Sequence, residues 1–315
     1  MTLSETLSIK SPIIGGPMYP CSNPELVAAV SNAGGIGIVQ PVTLTYVNGY
    51  ALREGLRYIK TLTQKPIGFN ALIEKSSKRY EKKMMEWIDI ALEEGIRFFI
   101  TSLGNPAEVV KKVHAQGGLV YHDVTELKWA KIALTAGVDG LIAVNNQAGG
   151  HAGIYDQKEL FEILKPCGLP LVCAGGIGDK RAFDKAMALG YSGVQMGTRF
   201  IATKECDVSL AYKEAIVTST KDDIVLSQKL TGVNVSIIKP KSLKKVSVKP
   251  NVFVQWALNN KIVKRFMRML MVLRSIYYLK KTRSSEDNDV IWQAGKSVEG
   301  IKKIKSVSEV FEEFS

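Results

Sequence analysis

Short apolar runs recur through the first two thirds of the chain, and stretches with helical periodicity separate them. Eight of these runs are rich in β-branched or other apolar residues. Continuous apolar runs of this length are typical of strands that are buried on both faces. We therefore predict eight buried strands, which begin near Pro12, Gly35, Pro66, Arg97, Gly118, Asp139, Leu169 and Ser192.

Five of the intervening stretches place apolar residues at helical spacing: "NPELVAAVSNAG", "KKMMEWIDIALEEG", "NPAEVVKKVHAQG", "TELKWAKIALTAG" and "DKRAFDKAMALG". A glycine ends each stretch, and glycine tolerates the left-handed φ that terminates a helix. These glycines are Gly34, Gly95, Gly117, Gly137 and Gly190. Residues that favour a helix start stand at Asn23-Pro24, Asn105-Pro106, Thr125 and Asp179.

Regular alternation of eight strands with helices predicts an α/β fold, a (β/α)8 TIM barrel, over residues 1–220. A doubly wound open sheet is the alternative. The count of eight strands and the absence of GxGxxG after the first strand favour the barrel.

The pattern changes after Cys206. It predicts a helix in "DVSLAYKEAIVTST", a hairpin or meander in "DIVLSQKLTGVNVSIIKP", one or two helices between residues 251 and 282, and a short final helix in "SVSEVFEEFS". We interpret residues 221–315 as a mostly helical C-terminal extension that packs on the barrel and reaches back toward the active site.

Basic residues account for the formal net charge of +12 and are concentrated in the last third of the 315-residue chain. A basic patch can meet nucleic acid, anionic lipid or an acidic partner. We favour a solvated basic face, and we expect no nucleic-acid partner. The stretch 263–281 could lie on a membrane surface, but packing on its own domain is the interpretation that we favour.

The cellular compartment is predicted from three features. The first residues lack a basic segment followed by a long apolar one, no apolar run is long enough to span a bilayer, and the four cysteines show no close CxxC spacing. We therefore expect a cytoplasmic protein with reduced thiols and no membrane span. We find no metal-ligand cluster in the sequence.

Candidate functional residues follow the predicted strands, because chemistry in such barrels is located where strands end and the next loops begin. Gly175 and Gly176 follow strand seven, and Gly197 and Thr198 follow strand eight. Glycines let backbone amides approach an anion, and these two loops often form a phosphate site. The first loop is apolar and Asn70 offers an amide, so a flat ring with a phosphate, such as FMN, is the predicted ligand.

Seven motifs together resemble the nitronate monooxygenase family: "GGPM", "SNAGGIGIV", "GFNAL", "AGGHAG", "VCAGGIGD", "GVQMGTRF" and "WQAGKS". Flavin-dependent enoyl-ACP reductases and some NADH:quinone reductases have similar patterns. The resemblance covers nearly the whole chain. It implies a TIM barrel that binds FMN non-covalently and oxidises alkyl nitronates with O2 to a carbonyl compound and nitrite.

The resemblance implies that the Met18 loop and Asn70 lie near the flavin ring, and that Gly176 and the run Gln195 to Thr198 surround its phosphate. The full set of expected cofactor-binding residues is Gly16, Pro17, Met18, Asn70, Asp123, Gly149, Gly150, Gly175, Gly176, Gln195, Met196, Gly197 and Thr198. The chain departs from many members at Val144-Asn145 and Gln147, which precede the AGGH motif.

His151 matches the active-site histidine of that motif, and its small neighbours leave space above a flavin. Imidazole titrates near neutral pH, so His151 can accept a proton from the carbon next to a nitro group or hydrogen-bond a nitronate. At the end of strand five, either His122 or Asp123 could face the flavin, and a role in pairing with another group, in supporting the site from behind or in capping a helix is equally open for Asp123. Lys296 in "WQAGKS" could meet the phosphate or a substrate anion, or belong to a packing turn.

The sequence leaves a second function open, an NAD(P)H-dependent FMN reductase of a quinone or an enoyl thioester. No nicotinamide signature decides between the two functions. The oligomeric state also stays open.

Overall fold

Eight parallel strands close into a barrel in the computed structural model, and they follow one another in chain order. The structure describes residues 2–74, 77–228, 234–239, 260, 263–286 and 290–315, without the side chains of 264–266, 268, 269, 272 and 273. The strands are β1 (Ile13–Gly15), β2 (Ile36–Val39), β3 (Ile67–Leu72), β4 (Phe98–Ser102), β5 (Leu119–Val124), β6 (Gly140–Val144), β7 (Leu171–Ala174) and β8 (Gly193–Met196). Pairing of β1 with β8 closes the barrel, which confirms the predicted fold and excludes an open sheet.

Helices connect successive strands: α2 (Pro24–Asn32), α3 (Leu52–Leu62), α4 (Lys78–Glu93), α5 (Ala107–His114), α6 (Leu127–Ala136), α7 (Gln157–Leu164) and α8 (Lys180–Ala188). Helix α1 (Leu3–Leu7) precedes β1. The five predicted helices are confirmed, while α3 and α7 were not predicted.

Helix ends agree with the sequence at most positions. All five predicted terminal glycines have positive φ. The Asp179 side chain accepts a hydrogen bond from the Ala182 amide at 2.8 Å, so its predicted role as an N-cap is confirmed. The prediction for Thr125 was wrong, because α6 begins one residue later, after Glu126 in extended conformation.

The barrel interior is filled by large aliphatic and aromatic side chains. Ile14, Ile38, Ile100, Tyr121 and Ile142 belong to this interior cluster. Leu3 of α1 is also a member, and its amide donates to the Ser192 carbonyl at 2.9 Å. Because β8 begins next to Ser192, α1 seals the barrel end at which the strands begin and leaves their carboxyl ends for ligands.

The C-terminal part contains α9 (Thr198–Ile201), α10 (Leu210–Thr218), the antiparallel strands β9 (Ile224–Ser227) and β10 (Val235–Ile238), α11 (Lys264–Thr282) and α12 (Val307–Phe314). The predicted helix after Cys206, the hairpin and the final helix are confirmed. Residues 251–259, 261 and 262 of the predicted helical region lie outside the described residues. Among the helices that the structure describes, none has the length and apolar character to cross a membrane.

Candidate active site

Alternation along the barrel strands determines which side chains reach the interior. Three polar residues near the carboxyl ends of strands are each in register with a member of the interior cluster. These pairs are Asn70 with Ile100, Asp123 with Ile142, and Gln195 with Ala174. Residues in register face the same side of a sheet, so an amide, a carboxyl and a second amide face the interior near the same end of the barrel.

Each of these three residues has a buried oxygen without a hydrogen-bond partner in the described part of the chain: Asn70 Oδ1, Asp123 Oδ1 and Gln195 Oε1. Buried polar atoms in folded proteins are nearly always hydrogen-bonded, because an unmade bond costs about 1–3 kcal/mol. Three such acceptors at one barrel end indicate a site for a ligand that brings hydrogen-bond donors. Burial also raises the pKa of Asp123 to about 7, so near neutral pH it can itself donate.

His122 occupies the opposite face of β5. Its Nδ1 lies 2.8 Å from Thr101 Oγ1 in the layer between strands and helices. Burial there lowers the pKa of His122 to about 4, so the ring is neutral. Of the two candidates at the end of strand five, Asp123 is therefore the one that faces the interior.

The first loop lies against the eighth. The Gly16 amide donates to the Met196 carbonyl at 2.9 Å, directly before Pro17 and Met18. The Met18 amide donates to Ser22 Oγ at 2.8 Å, and the Met18 sulfur lies 3.3 Å from where a Cβ on Gly197 would stand. These contacts bring the predicted ring-binding loop next to the predicted phosphate loop.

The turn after β7 is shaped by two glycines with positive φ, Gly175 at 115° and Gly176 at 83°. A Cβ on Gly176 would come within 2.6 Å of Gln147 Oε1, so a larger residue would force the Gln147 side chain to move, in addition to the strain of the positive φ. The helix that follows Gly197, α9, has only four residues. Its dipole is therefore small, and an anion here would depend on the glycine turns and on the Thr198 hydroxyl.

Asn145 connects the loops after β6 and β7, a role that the sequence did not indicate. It is fully buried. Its Nδ2 donates to the Gly175 carbonyl at 3.0 Å, and its Oδ1 accepts from the Gln147 amide at 2.8 Å. The departure from the family pattern at Asn145 thus forms a brace beneath the glycine turn. An amide directly after a buried strand was the available signal.

The C-terminal segment reaches the same loops. The Gly295 amide donates to Thr198 Oγ1 at 2.9 Å, and the Lys296 amide donates to the Gln147 carbonyl at 2.9 Å. Ala294 and Gly295 pack on Gly149 so closely that a Cβ on Gly149 would stand 3.0 Å from the Gly295 nitrogen. The side chain of Lys296 is exposed, so its contact with this region is made by the backbone.

His151 belongs to the loop after β6, at the carboxyl end of the barrel. The preceding Gly150 has φ 68°, and its carbonyl accepts from the Ser236 amide at 2.8 Å, which ties this loop to β10. His151 is exposed to solvent, but the protein around its imidazole ring partly excludes water from it. This desolvation lowers the pKa of His151. Its imidazole is therefore available in the neutral, basic form near pH 7.

The chain resembles known proteins over its whole length. The model of the nitronate monooxygenase family matches residues 1–315. A Staphylococcus saprophyticus protein named "Probable nitronate monooxygenase" is 29% identical over 269 residues, covering 72% of this chain and 75% of that protein. A Rhodococcus jostii enzyme named (3aS,4S,5R,7aS)-5-hydroxy-7a-methyl-1-oxo-octahydro-1H-indene-4-carboxyl-CoA dehydrogenase is 32% identical over 232 residues, covering 73% of this chain and 63% of that enzyme.

Solved structures have the same fold. FabK from Thermotoga maritima superposes with a TM-score of 0.81 at 27% identity, covering 100% of this chain and 94% of that one. Nitroalkane oxidase from Streptomyces ansochromogenes superposes with a TM-score of 0.73 at 18% identity, covering 99% and 96%. The second similarity shows the fold alone.

Proposed function

The chain belongs to the nitronate monooxygenase family, and we propose that it binds FMN at the carboxyl end of the barrel and oxidises alkyl nitronates with O2. The products are a carbonyl compound and nitrite. The principal support is the group of three unpartnered buried oxygens of Asn70, Asp123 and Gln195, which meets at the end where such barrels bind their ligands.

The residues at this end fit FMN. An isoalloxazine ring and a ribityl chain bring N–H and O–H donors, which match the three free acceptors. The glycines at 16, 149, 150, 175, 176 and 197, with Met196, Pro17 and Met18, provide backbone without bulky polar side chains for close approach. Thr198 supplies a hydroxyl beside the expected phosphate position. FMN supplies the redox chemistry when bound, and the protein orients the substrate.

His151 has the role of acid–base group in this proposal. Its lowered pKa keeps the imidazole neutral, so it accepts the proton from the carbon next to a nitro group. The ring N–H, which the neutral imidazole also carries, hydrogen-bonds the anionic nitronate. A substrate that is supplied as nitronate needs only the second of these actions.

A flavin-dependent reductase of an acyl thioester is the second candidate function. It is favoured by the 32% identity to a dehydrogenase whose name specifies a carboxyl-CoA substrate. The two functions differ in what reduces the flavin, a nitronate or a reduced nicotinamide.

Parallel assays of the purified enzyme test this proposal. Ethylnitronate in air should give nitrite and consume O2, while NADPH with an enoyl thioester should show no turnover. NADPH oxidation that depends on the thioester, without nitrite from ethylnitronate, would instead establish the reductase function.

A further inference from the structure

Helix α11 presents an exposed stripe whose residues recur at one-turn spacing. Leu270, Arg274, Tyr277 and Lys281 are all exposed, and they lie four, three and four positions apart. This spacing places them on one face of a helix. Tyr277 is 72% exposed, which is unusual for a large aromatic side chain that serves only to pack.

The stripe borders a groove of about 560 Å³, within the range of small-molecule sites. Its lining includes Arg274, Tyr277, Tyr278, Lys281 and Ser285. The groove thus combines two aromatic rings and two cations. Its concave shape suits a small ligand better than a flat lipid surface.

The basic residues of α11 fall into two groups. Lys280 Nζ donates to the Tyr46 carbonyl at 2.6 Å, and Arg283 forms an ion pair with Asp207 at 2.9 Å, so these two hold the helix on the barrel. Arg274 and Lys281 form no ion pair with any residue in the described ranges. The charges that border the groove are the ones left for a ligand.

Helix α11 also contacts the first loop of the candidate active site. Tyr19, which directly follows Met18, donates its hydroxyl to the Ile276 carbonyl of α11 at 2.8 Å. Tyr19 and Tyr278 also pack in one small apolar cluster with Leu279 and Val235. The groove is therefore formed on a helix that contacts the first loop.

A planar guanidinium and an ammonium group suit phosphate, and tyrosine rings suit the face of a purine. We propose that this groove binds the adenosine-phosphate part of a second ligand. Reduced nicotinamide dinucleotides and CoA thioesters share this part. This binding does not depend on the proposed function.

The test is equilibrium binding of ADP, NADPH and CoA to the flavin-loaded protein at low salt. Replacing Arg274 or Lys281 by Ala should raise Kd about tenfold or more, because each change removes a charged hydrogen bond to phosphate. Tyr277→Ala should raise Kd for every adenine ligand, and Arg274→Lys should retain part of the affinity. The matched control is Lys185→Ala, an exposed lysine on α8, which should change nothing.

Comparing ADP, NADPH and CoA shows whether the adenosine phosphate belongs to a nicotinamide dinucleotide or to a CoA thioester. Tighter binding of NADPH than of ADP and CoA supports a nicotinamide nucleotide, tighter binding of CoA supports a thioester, and equal binding supports recognition of the shared part. Absence of saturable binding, or affinities that the groove variants leave unchanged, would overturn the proposal. The proposal would also be overturned if the parent protein bound phosphatidylglycerol vesicles but no nucleotide, and if these variants lost the vesicle binding.

Failure of the groove and failure of the proposed function are separable. Flavin content and nitrite release from ethylnitronate are measured in the same variants. Nitrite release without nucleotide binding would overturn the groove alone, whereas nucleotide binding without nitrite release would overturn nitronate oxidation alone.

Discussion

At the scale of single residues, two titratable groups at the barrel end have pKa values shifted in opposite directions. Desolvation lowers the pKa of His151 and raises that of Asp123 to about 7. Both shifts favour the uncharged form near neutral pH. The proposed site therefore holds a neutral base on a loop and, near pH 7, a partly protonated acid on a strand, so it repels an anionic nitronate less than an ordinary carboxylate would.

We predict that His151→Ala slows oxidation of neutral nitroethane about 10²–10⁴-fold in kcat/KM, the usual effect of losing a positioned acid–base group. Oxidation of preformed ethylnitronate should fall much less, since that substrate has already lost its proton. The control is His114→Ala, which removes an exposed imidazole that is bound to Asp139 at 2.9 Å. Equal losses with both substrates would contradict a role in proton abstraction.

Asp123→Asn should change how stability depends on pH. Between an unfolded pKa near 3.9 and a folded pKa of about 7, the folded protein binds the extra proton. The free energy of unfolding therefore falls as pH rises through this window, at up to about 1.4 kcal/mol per pH unit, and Asn removes this contribution.

Urea unfolding of the flavin-free protein at several pH values between 4 and 8 measures this effect. The parent and Asp123→Asn should differ increasingly as pH rises. If the unfolding free energies of the parent and of Asp123→Asn depended on pH in the same way, Asp123 would have an ordinary pKa and would not be buried as described.

At the scale of elements, the C-terminal segment contacts the barrel loops through backbone that leaves no room for side chains. A Cβ on Gly295 would stand 2.5 Å from the Gly149 backbone nitrogen and 2.6 Å from the Gln147 backbone carbonyl oxygen. Gly295 itself has φ −97°, which any residue can adopt. The glycine is thus required by close approach and not by backbone conformation.

Gly295→Ala should therefore displace the segment and destabilise the protein by about 1–3 kcal/mol, the usual cost of overpacking. Thermal unfolding and limited proteolysis of the C-terminus measure this. Gly49→Ala is the informative comparison, because Gly49 has φ 81° and no atom lies within 4 Å of an added Cβ. That substitution therefore introduces backbone strain without a steric clash. Unchanged proteolysis in Gly295→Ala would contradict the described packing.

Much of the element order follows from the sequence, because buried parallel strands are recorded as continuous apolar runs. Helix α3 did have a local signal, because Leu52, Leu56 and Ile59 recur at helical spacing, but Gly55 lowers its helix propensity. A Cβ there would stand 2.7 Å from Leu44, a tertiary contact that no local pattern contains. Helix α7 also had a local signal, the capping box of Asp156 and Glu159.

The site was predictable to the level of strand ends. The sequence identified Asn70, Asp123 and Gln195 as candidates, but it left the choice between His122 and Asp123 open. That choice depends on which side of β5 faces the interior, and hence on the register with β4 and β6. The brace formed by Asn145 joins loops about 30 positions apart and likewise needed the fold.

At the scale of the whole molecule, the candidate site is assembled from distant parts of the chain. It extends from Gly16 in the first loop to Gly295 in the C-terminal segment, and α11 contacts the first loop at Tyr19. The basic C-terminal third contributes to this assembly through Lys280 and Arg283. The high net charge thus has a structural role beside any role in binding.

The central claim is that this barrel end holds a flavin that nitronate reduces, and anaerobic absorbance measurement of the purified protein tests it most directly. We predict flavin bands, with FMN released on denaturation, that change when ethylnitronate is added and stay unchanged with NADPH. Bleaching by NADPH alone would contradict nitronate oxidation. Failure to bind FMN even after reconstitution would contradict the flavin site itself.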